Sequence, residues 1–271
     1  MFPSICFSRQ QGFTLIEMVV TIVLIGIIGV GITNFVGRST QGMIDMAERQ
    51  QLATIGWIVS EKVSRELRLA LPNSIRLNAG GTCVEFIPTI AGSDYLSVPT
   101  VTAANNFESV PFPNYSPADV NASYDRVAVY PSTLTNLYDL NNPGIISSLI
   151  DQLATGVTIN SMTITLAANH RFNTDSPTNR LYIVQDPMMY CFSDGFLYRY
   201  SQYGYHAGSS LPEDDDLDNE VVMGSRLASG AFTYSEGALA RSAIVTMNFR
   251  VVGDNGATQA INQEVHIRNV P

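Results

Sequence analysis

The chain has 271 residues and a formal net charge of −9 at pH 7. Its hydrophobic fraction of 45% is ordinary for a globular protein, and its length suits one large domain or two modest ones rather than a disordered chain. An acidic protein without a tract rich in Lys and Arg repels phosphate backbones, so we exclude nucleic acid as a partner.

The first predicted element is a membrane-spanning helix over residues 13–36. This stretch is predominantly apolar for about two dozen residues, and at about 1.5 Å per residue it spans the roughly 30 Å of a hydrocarbon core. Arg9 and the chain's amino group before it favour a cytoplasmic N-terminus, although Arg38 on the far side weakens this asymmetry. Glu17 lies inside the apolar stretch, where a carboxylate costs a few kcal/mol and requires a partner.

The order of signals around this helix is the reverse of a secretory signal peptide. There, a small-residue cleavage site follows the apolar segment, which is then discarded. Here Gly12 precedes the segment and no A-x-A-like site follows it. A cut after Gly12 would leave the apolar helix attached to the mature protein.

The sequence "GFTLIEMVV", residues 12–20, resembles the cleavage and methylation motif of type IV prepilins and type II secretion pseudopilins. The resemblance implies that a prepilin peptidase/N-methyltransferase cuts between Gly12 and Phe13 and methylates the new amino group of Phe13. Glu17 then becomes the fifth residue of the processed chain and a suitable counter-ion for the Phe13 amine of a neighbouring subunit. Two alternatives are an ion pair with its own Phe13 amine and snorkelling to the interface.

The helical pattern continues beyond residue 37 and becomes amphipathic up to Pro72, which should end it. The predicted buried stripe is Leu52, Ile55, Val59, Val63, Leu67 and Ala70. From there to the C-terminus short apolar runs alternate with turn residues, which is typical of antiparallel strands. These runs are "TCVEFIPTI", "RVAVY", "VTINSMTITL", "RLYIVQ", "FLYRYSQ", "AIVTMNFRVV" and "QEVHIRNV".

The fold class predicted is therefore α+β and pilin-like, with a long N-terminal helix packed on a mainly antiparallel β-sheet domain. The expected parts are a leader (1–12), a transmembrane half of the helix (13–37), an amphipathic half (38–71) and a periplasmic globular domain (72–271). "YCFSDGFLYRY" predicts a hairpin that turns at Asp194 and Gly195. Proline-rich "SVPFPNYSP" and acidic "LPEDDDLDNE" are predicted to be exposed loops.

Cys83 and Cys191 are the two cysteines that follow the apolar segment, whereas Cys6 precedes it. If this part of the chain is exported to an oxidising compartment, they can form a disulfide. Closing a loop of roughly a hundred residues would contribute up to about 4.7 kcal/mol in the chain-entropy model. Two separately buried thiols are the alternative.

The globular part carries a second resemblance. "EFIP" after Cys83, "YCFSDGFLYRYSQYG" and the terminal "EVHIRNVP" resemble the MshO-type minor pilins of the mannose-sensitive haemagglutinin (MSHA) pilus, and also the minor pseudopilin lettered J. The implied partners are major and other minor pilins, an inner-membrane assembly platform and membrane lipid. The implied location is the inner membrane, single-pass with a periplasmic C-terminal domain, and the pilus or cell surface after assembly.

Catalytic and cofactor motifs are missing from the sequence. His170, His206 and His266 have no metal-ligand spacing, and no G-x-S-x-G, P-loop or dinucleotide fingerprint is present, so we predict neither an enzyme, a metal site nor a cofactor. The acidic loop resembles a calcium loop but has Asn219 where glycine is needed, which favours a solvated loop. Its acids are Asp214, Asp216, Asp218 and Glu220.

Four tyrosines at alternate or nearly alternate positions could form an aromatic platform for a sugar or a surface. Period-two tyrosines on a strand are more often half-buried sheet packing, which is the preferred interpretation. They are Tyr198, Tyr200, Tyr203 and Tyr205.

Overall fold

The computed structural model describes residues 12–134, 136–156, 160–208, 210–212, 217, 219–237 and 242–267. The chain divides into two compact units, Met1–Gln50 and Gln51–Pro271. Its long helix, α1 (Leu15–Leu67), packs on antiparallel sheets, which confirms the predicted α+β class. A short 3-10 helix covers Pro117–Asp119. The strands are β1 (Arg76–Leu77), β2 (Cys83–Phe86), β3 (Thr89–Asp94), β4 (Ala104–Ser109), β5 (Arg126–Val129), β6 (Ile146–Thr155), β7 (Met162–His170), β8 (Arg180–Val184), β9 (Met188–Ser193), β10 (Phe196–Ser201), β11 (Val221–Ser225), β12 (Leu227–Ser235), β13 (Ala243–Val252) and β14 (Thr258–Ile267).

The C-terminal part of α1 buries the predicted apolar stripe. Leu52, Val59, Val63 and Leu67 are at most 2% exposed, and Ile55 packs partly buried against the same cluster. Gly56 allows close contact with β14, because a Cβ at this position would lie 2.7 Å from the Ile261 side chain. The amphipathic pattern therefore predicted this interface correctly.

α1 ends at Leu67, before the predicted stop at Pro72. Its last turn tightens, with the N–H of Ala70 donating to the carbonyl of Leu67 at 3.1 Å. The chain then pairs with the segment between β2 and β3, where the N–H of Leu71 donates to the carbonyl of Ile87 at 2.8 Å. Strand-type pairing with a distant segment thus ends the helix sooner than local sequence indicates.

The described strands of the globular unit form three sheets, rather than the single sheet expected. One has five strands in the order β1-β2-β9-β10-β11, one has the three strands β12-β13-β14, and one has six in the order β3-β8-β5-β6-β7-β4. The first two share a core with α1, to which Phe86, Tyr190 and Phe232 contribute. The six-stranded sheet has a core of its own, built around Phe107 and Phe172. Two smaller buried clusters accompany these cores, one that includes Leu71 and Ile146 and one that includes Met189 and Tyr200.

The predicted hairpin is confirmed. β9 and β10 pair in antiparallel register from Ser193↔Phe196 onward, and Asp194 and Gly195 both have positive φ, at 48° and 84°. Positive φ at both central residues is what a tight type I′ turn requires.

The proline-rich loop departs from its prediction, because Phe112 and Tyr115 are 7% and 4% exposed. Their rings contact each other and help to close the second core.

Candidate processing and assembly site

The N-terminus of α1 is capped by Thr14. Its carbonyl accepts from the N–H of Met18 at 3.3 Å, and its hydroxyl oxygen lies 3.4 Å from the N–H of Glu17. Thr14 is therefore the N-cap, and its hydroxyl faces the N–H of Glu17, the third helical residue. Sequence reasoning missed this role, although the spacing Thr-x-x-Glu was a visible signal for it.

Glu17 combines a negative charge with the positive end of the helix dipole, which favours a carboxylate in the first turn. Its side chain is exposed, and within the described part of the chain it forms no ion pair. Gly12 and Phe13 precede the helix in exposed chain without regular secondary structure, Phe13 being 75% exposed. An exposed segment before a helix end is accessible to a peptidase.

The first part of α1 presents apolar side chains on every face. Ile16, Ile25 and Phe35 are between 67% and 72% exposed, and the helix is long and apolar enough to cross a membrane. Its hydroxyl groups are satisfied internally: Thr21 and Thr33 donate to helix carbonyls at 2.9 Å and 3.0 Å. Such internal bonding suits surroundings without water.

The comparisons with known proteins agree with this geometry. Residues 7–33 match a family described as the prokaryotic N-terminal methylation motif. The match is to the signal of type IV pilin-like proteins and supports placing the chain with prepilins and pseudopilins, as a structural subunit. No significant match was found among curated proteins or among solved structures.

Cys83 and Cys191 lie opposite each other on neighbouring strands. They are register partners in the β2–β9 pair, their Cα atoms are 4.1 Å apart, and their sulfur atoms are bonded. Cys83 is on the second strand after α1, because the short β1 precedes it. The disulfide therefore ties β2 to the β9–β10 hairpin in the middle of the five-stranded sheet.

A buried ion pair, which sequence reasoning missed, joins β1 to β2. Arg76 donates to Glu85, and their side chains are 2% and 0% exposed. The guanidinium also lies 3.6 Å from the centre of the Tyr138 ring and donates to the carbonyls of His206 and Gly208. Arg76 and Glu85 are direct cross-strand partners on either side of the turn at residues 78–81, which is rich in Asn and Gly. An Arg and a Glu at this spacing around a turn were the available signal for the pair.

The tyrosines that suggested a binding platform have structural roles. Tyr198 and Tyr200 lie on β10, and Tyr200 is 3% exposed, whereas Tyr203 and Tyr205 fall beyond the end of that strand. The Tyr203 hydroxyl donates to Glu85 at 2.8 Å and the Tyr205 hydroxyl to the carbonyl of Gln185 at 2.9 Å. Burial raises the pKa of both hydroxyls far above the ordinary tyrosine value. These contacts favour the packing interpretation.

The remaining candidates are scattered. His170 is 3% exposed with a ring nitrogen 3.4 Å from the carbonyl of Gly144, and burial lowers its pKa. His206 and His266 lie elsewhere, and no group of three or more His, Cys, Asp or Glu side chains is arranged for a metal among the residues described. Glu220 accepts from the Tyr200 hydroxyl at 3.3 Å. The acids Asp214, Asp216 and Asp218 are outside the described residues.

Proposed function

We propose that this chain is a minor pilin-like structural subunit without catalytic activity, which enters an MSHA-type type IV pilus through α1. The observation that carries the proposal is the methylation motif at the start of an exposed apolar helix capped by Thr14. In this account residues 1–12 are the leader, 13–37 cross the inner membrane, 38–71 form the amphipathic half of the helix, and 72–271 are periplasmic. The partners are prepilin peptidase, other pilins, the assembly platform and lipid.

Glu17 is assigned to pairing with the methylated amine of Phe13 in a neighbouring subunit. An ion pair neutralises both groups together in the membrane, where either alone is costly. Assembly is then favoured over the isolated helix. The position of Glu17 three residues after the N-cap Thr14 also suits a capping bond from its side chain, a second role that an experiment must separate from the first.

The assignment is tested with Glu17→Gln beside Glu17→Ala. Glutamine keeps the capping function of the third helical position but removes the charge. Both variants should be cleaved normally and enter filaments at about a tenth of the wild-type amount or less, since an ion pair of a few kcal/mol is lost. Glu61→Ala, the same change at a half-buried position of α1 where Glu61 pairs with Arg65 at 2.8 Å, should incorporate normally. Normal incorporation of Glu17→Gln would contradict the pairing and leave only the cap.

A position at the filament tip, in an initiation complex of minor subunits, is proposed from the size of the globular unit. A filament packed through its N-terminal helices leaves each globular domain limited lateral space, and a large domain meets fewer neighbours at an end. Trp57 and Ile58, 65% and 40% exposed on α1, offer apolar surface to other minor subunits. Immunogold labelling of the globular unit should mark filament ends. Regular label along the shaft would contradict the position.

A minor pseudopilin of a type II secretion system is the second candidate, because the same motif serves both systems. Deleting the gene should abolish piliation under the first assignment and secretion of folded exoproteins under the second. A membrane-anchored periplasmic binding protein with an uncleaved anchor is the candidate from another class. That candidate predicts a chain that retains Met1.

A further inference from the structure

The six-stranded sheet has an open seam between its edge strands β3 and β4. The two strands meet where Tyr95 bridges Ser109 and the N–H of Val110 donates to the carbonyl of Asp94 at 2.7 Å. After Val110 the chain continues as Pro-Phe-Pro at residues 111–113, and proline has no N–H with which to continue the pairing. The Ser93 hydroxyl still donates to the carbonyl of Val110 at 2.8 Å, and from there back to Thr89 the described residues show no backbone pairing of β3 with this neighbour.

The other end of the same β3 edge is covered by the residues that follow α1. The N–H of Thr89 donates to the carbonyl of Leu69 at 2.7 Å. Between the two covered ends, residues 90–93 line a groove of about 750 Å³. Four residues of extended chain measure roughly 13 Å, so the seam is a slot that fits a short strand.

Backbone groups of β3 are directed into this slot. In an antiparallel strand, successive residues turn their N–H and C=O to opposite sides. The carbonyl of Asp94 points away from β8, because it accepts from Val110, and Gly92 lies two residues earlier on the strand. Gly92 therefore also directs its N–H and C=O away from β8. Backbone groups on such an edge are a template for an added strand.

The walls of the slot combine apolar surface with positive charge. Leu69, Ile90 and Val110 line it and are 56%, 41% and 40% exposed. Arg68 and Arg180 line it too, and neither has an ion-pair partner among the residues that the structure describes. Asp94 is the acid in the lining, so the arginines leave an excess of positive charge in a protein whose net charge is −9. Such a site favours a carboxylate.

We propose that the slot binds an extended segment of another pilin-like subunit, which adds to the edge of β3 as a strand and places an Asp or Glu side chain against Arg68 and Arg180. The backbone of Gly92 provides affinity independent of sequence, and the arginines select an acidic segment. The class of partner rests on the proposed function, whereas the slot and its chemistry do not. This contact is distinct from packing between N-terminal helices.

The proposal is tested in the full-length protein in cells with a photo-crosslinking amino acid in place of Ile90. The same residue in place of Val101, which is 86% exposed and outside the slot, is the control. Mass spectrometry of the product should identify one segment of another pilin-like subunit, containing Asp or Glu, at position 90 and not at position 101. The absence of a crosslink at position 90, or a crosslink to lipid or to a protein without a pilin-type leader, would contradict the proposal.

Two substitutions examine the two parts of the slot. Gly92→Pro removes the outward N–H and Arg180→Glu reverses the charge, and each should lower the crosslink yield about fivefold or more, the effect of a lost hydrogen bond or ion pair. Arg250→Glu makes the same change of charge on the exposed face of β13 and should leave the yield unchanged. Equal yields in all three variants would overturn the proposal.

Folding and processing are measured in the same samples. Resistance to protease shows whether each variant is folded, and if Gly92→Pro is unfolded, Arg180→Glu decides the question. Intact mass shows whether the leader is removed. A processed, filament-incorporated protein without the position-90 crosslink contradicts the slot alone, whereas an unprocessed wild-type chain contradicts the proposed function.

Discussion

Residues 12–50 and the unit that begins at Gln51 use apolar side chains in opposite ways. In the first, Ile25 and Phe35 are 69% and 72% exposed, while in the second Val63 and Leu67 of the same helix are fully buried. Each buried aliphatic side chain stabilises a fold by about 1.5–3 kcal/mol. The second unit is therefore stabilised by its own buried core, whereas the exposed apolar surface of the first is available to lipid or other helices. Assembly and fold stability are thus encoded in separate parts of the sequence.

The largest effect expected in the first region is from Gly12→Val. A β-branched side chain at the residue before the cut should block the peptidase, so that essentially all of the protein stays as precursor in the inner membrane. The unfolding of the globular unit should not change, because a Cβ at Gly12 meets no atom within 4 Å. Immunoblotting resolves precursor from mature chain. Efficient cleavage of this variant would contradict the leader assignment.

In the second region, removal of the disulfide should cost the most. The bond spans 108 residues of sequence, and opening such a loop costs up to about 4.7 kcal/mol in the chain-entropy model. The double variant Cys83→Ser, Cys191→Ser should show that loss in denaturant unfolding while its leader is removed normally. Peptide mapping without reductant should recover the linked peptides from the wild type, and free thiols at both positions would contradict the bond.

Arg76→Ala should be nearly as damaging, since it leaves the carboxylate of Glu85 buried and uncompensated. Breaking a buried pair in this way costs about 3–5 kcal/mol. Arg250→Ala is the matched control on an exposed strand face and should cost under about 0.5 kcal/mol. The double variant Arg76→Met, Glu85→Leu should recover part of the loss. If Arg76→Ala unfolds at the same denaturant concentration as the wild type, the buried Arg76–Glu85 pair has no role in stability.

The smallest effect concerns pH. Because burial lowers the pKa of His170, the unfolded chain binds a proton more readily than the folded one below about pH 6.5, the ordinary histidine value. Stability should therefore be full above pH 7 and fall as the pH drops below about 6.5. His170→Asn should flatten this dependence, and His266→Asn on the exposed side of β14 is the control for the substitution itself. Parallel pH profiles of the wild type and His170→Asn would contradict it.

The first region was readable from sequence because its signals are local. A glycine before an apolar run, with a glutamate one turn inside, needs no knowledge of distant residues. The apolar stripe of α1 and the Asp194-Gly195 turn are local in the same sense, and β13 coincides with the run "AIVTMNFRVV".

The second region was only partly predictable because long-range pairing decides it. β4, "ANNFES", has little strand character of its own and is held by its pairing with β7. The division of the buried residues into separate clusters depends on which strands meet, which no local pattern specifies. Arg76 and Glu85 become a buried pair because Tyr138 and the chain after β10 cover them.

The central claim is that the membrane-anchored chain is cut after Gly12 and methylated at the new amino group of Phe13. Intact-mass measurement of the protein extracted from membranes tests it most directly. The account predicts one mass, that of residues 13–271 with an added methyl group and two fewer hydrogens for the disulfide. A mass that includes Met1 through Gly12, without methylation, would contradict it.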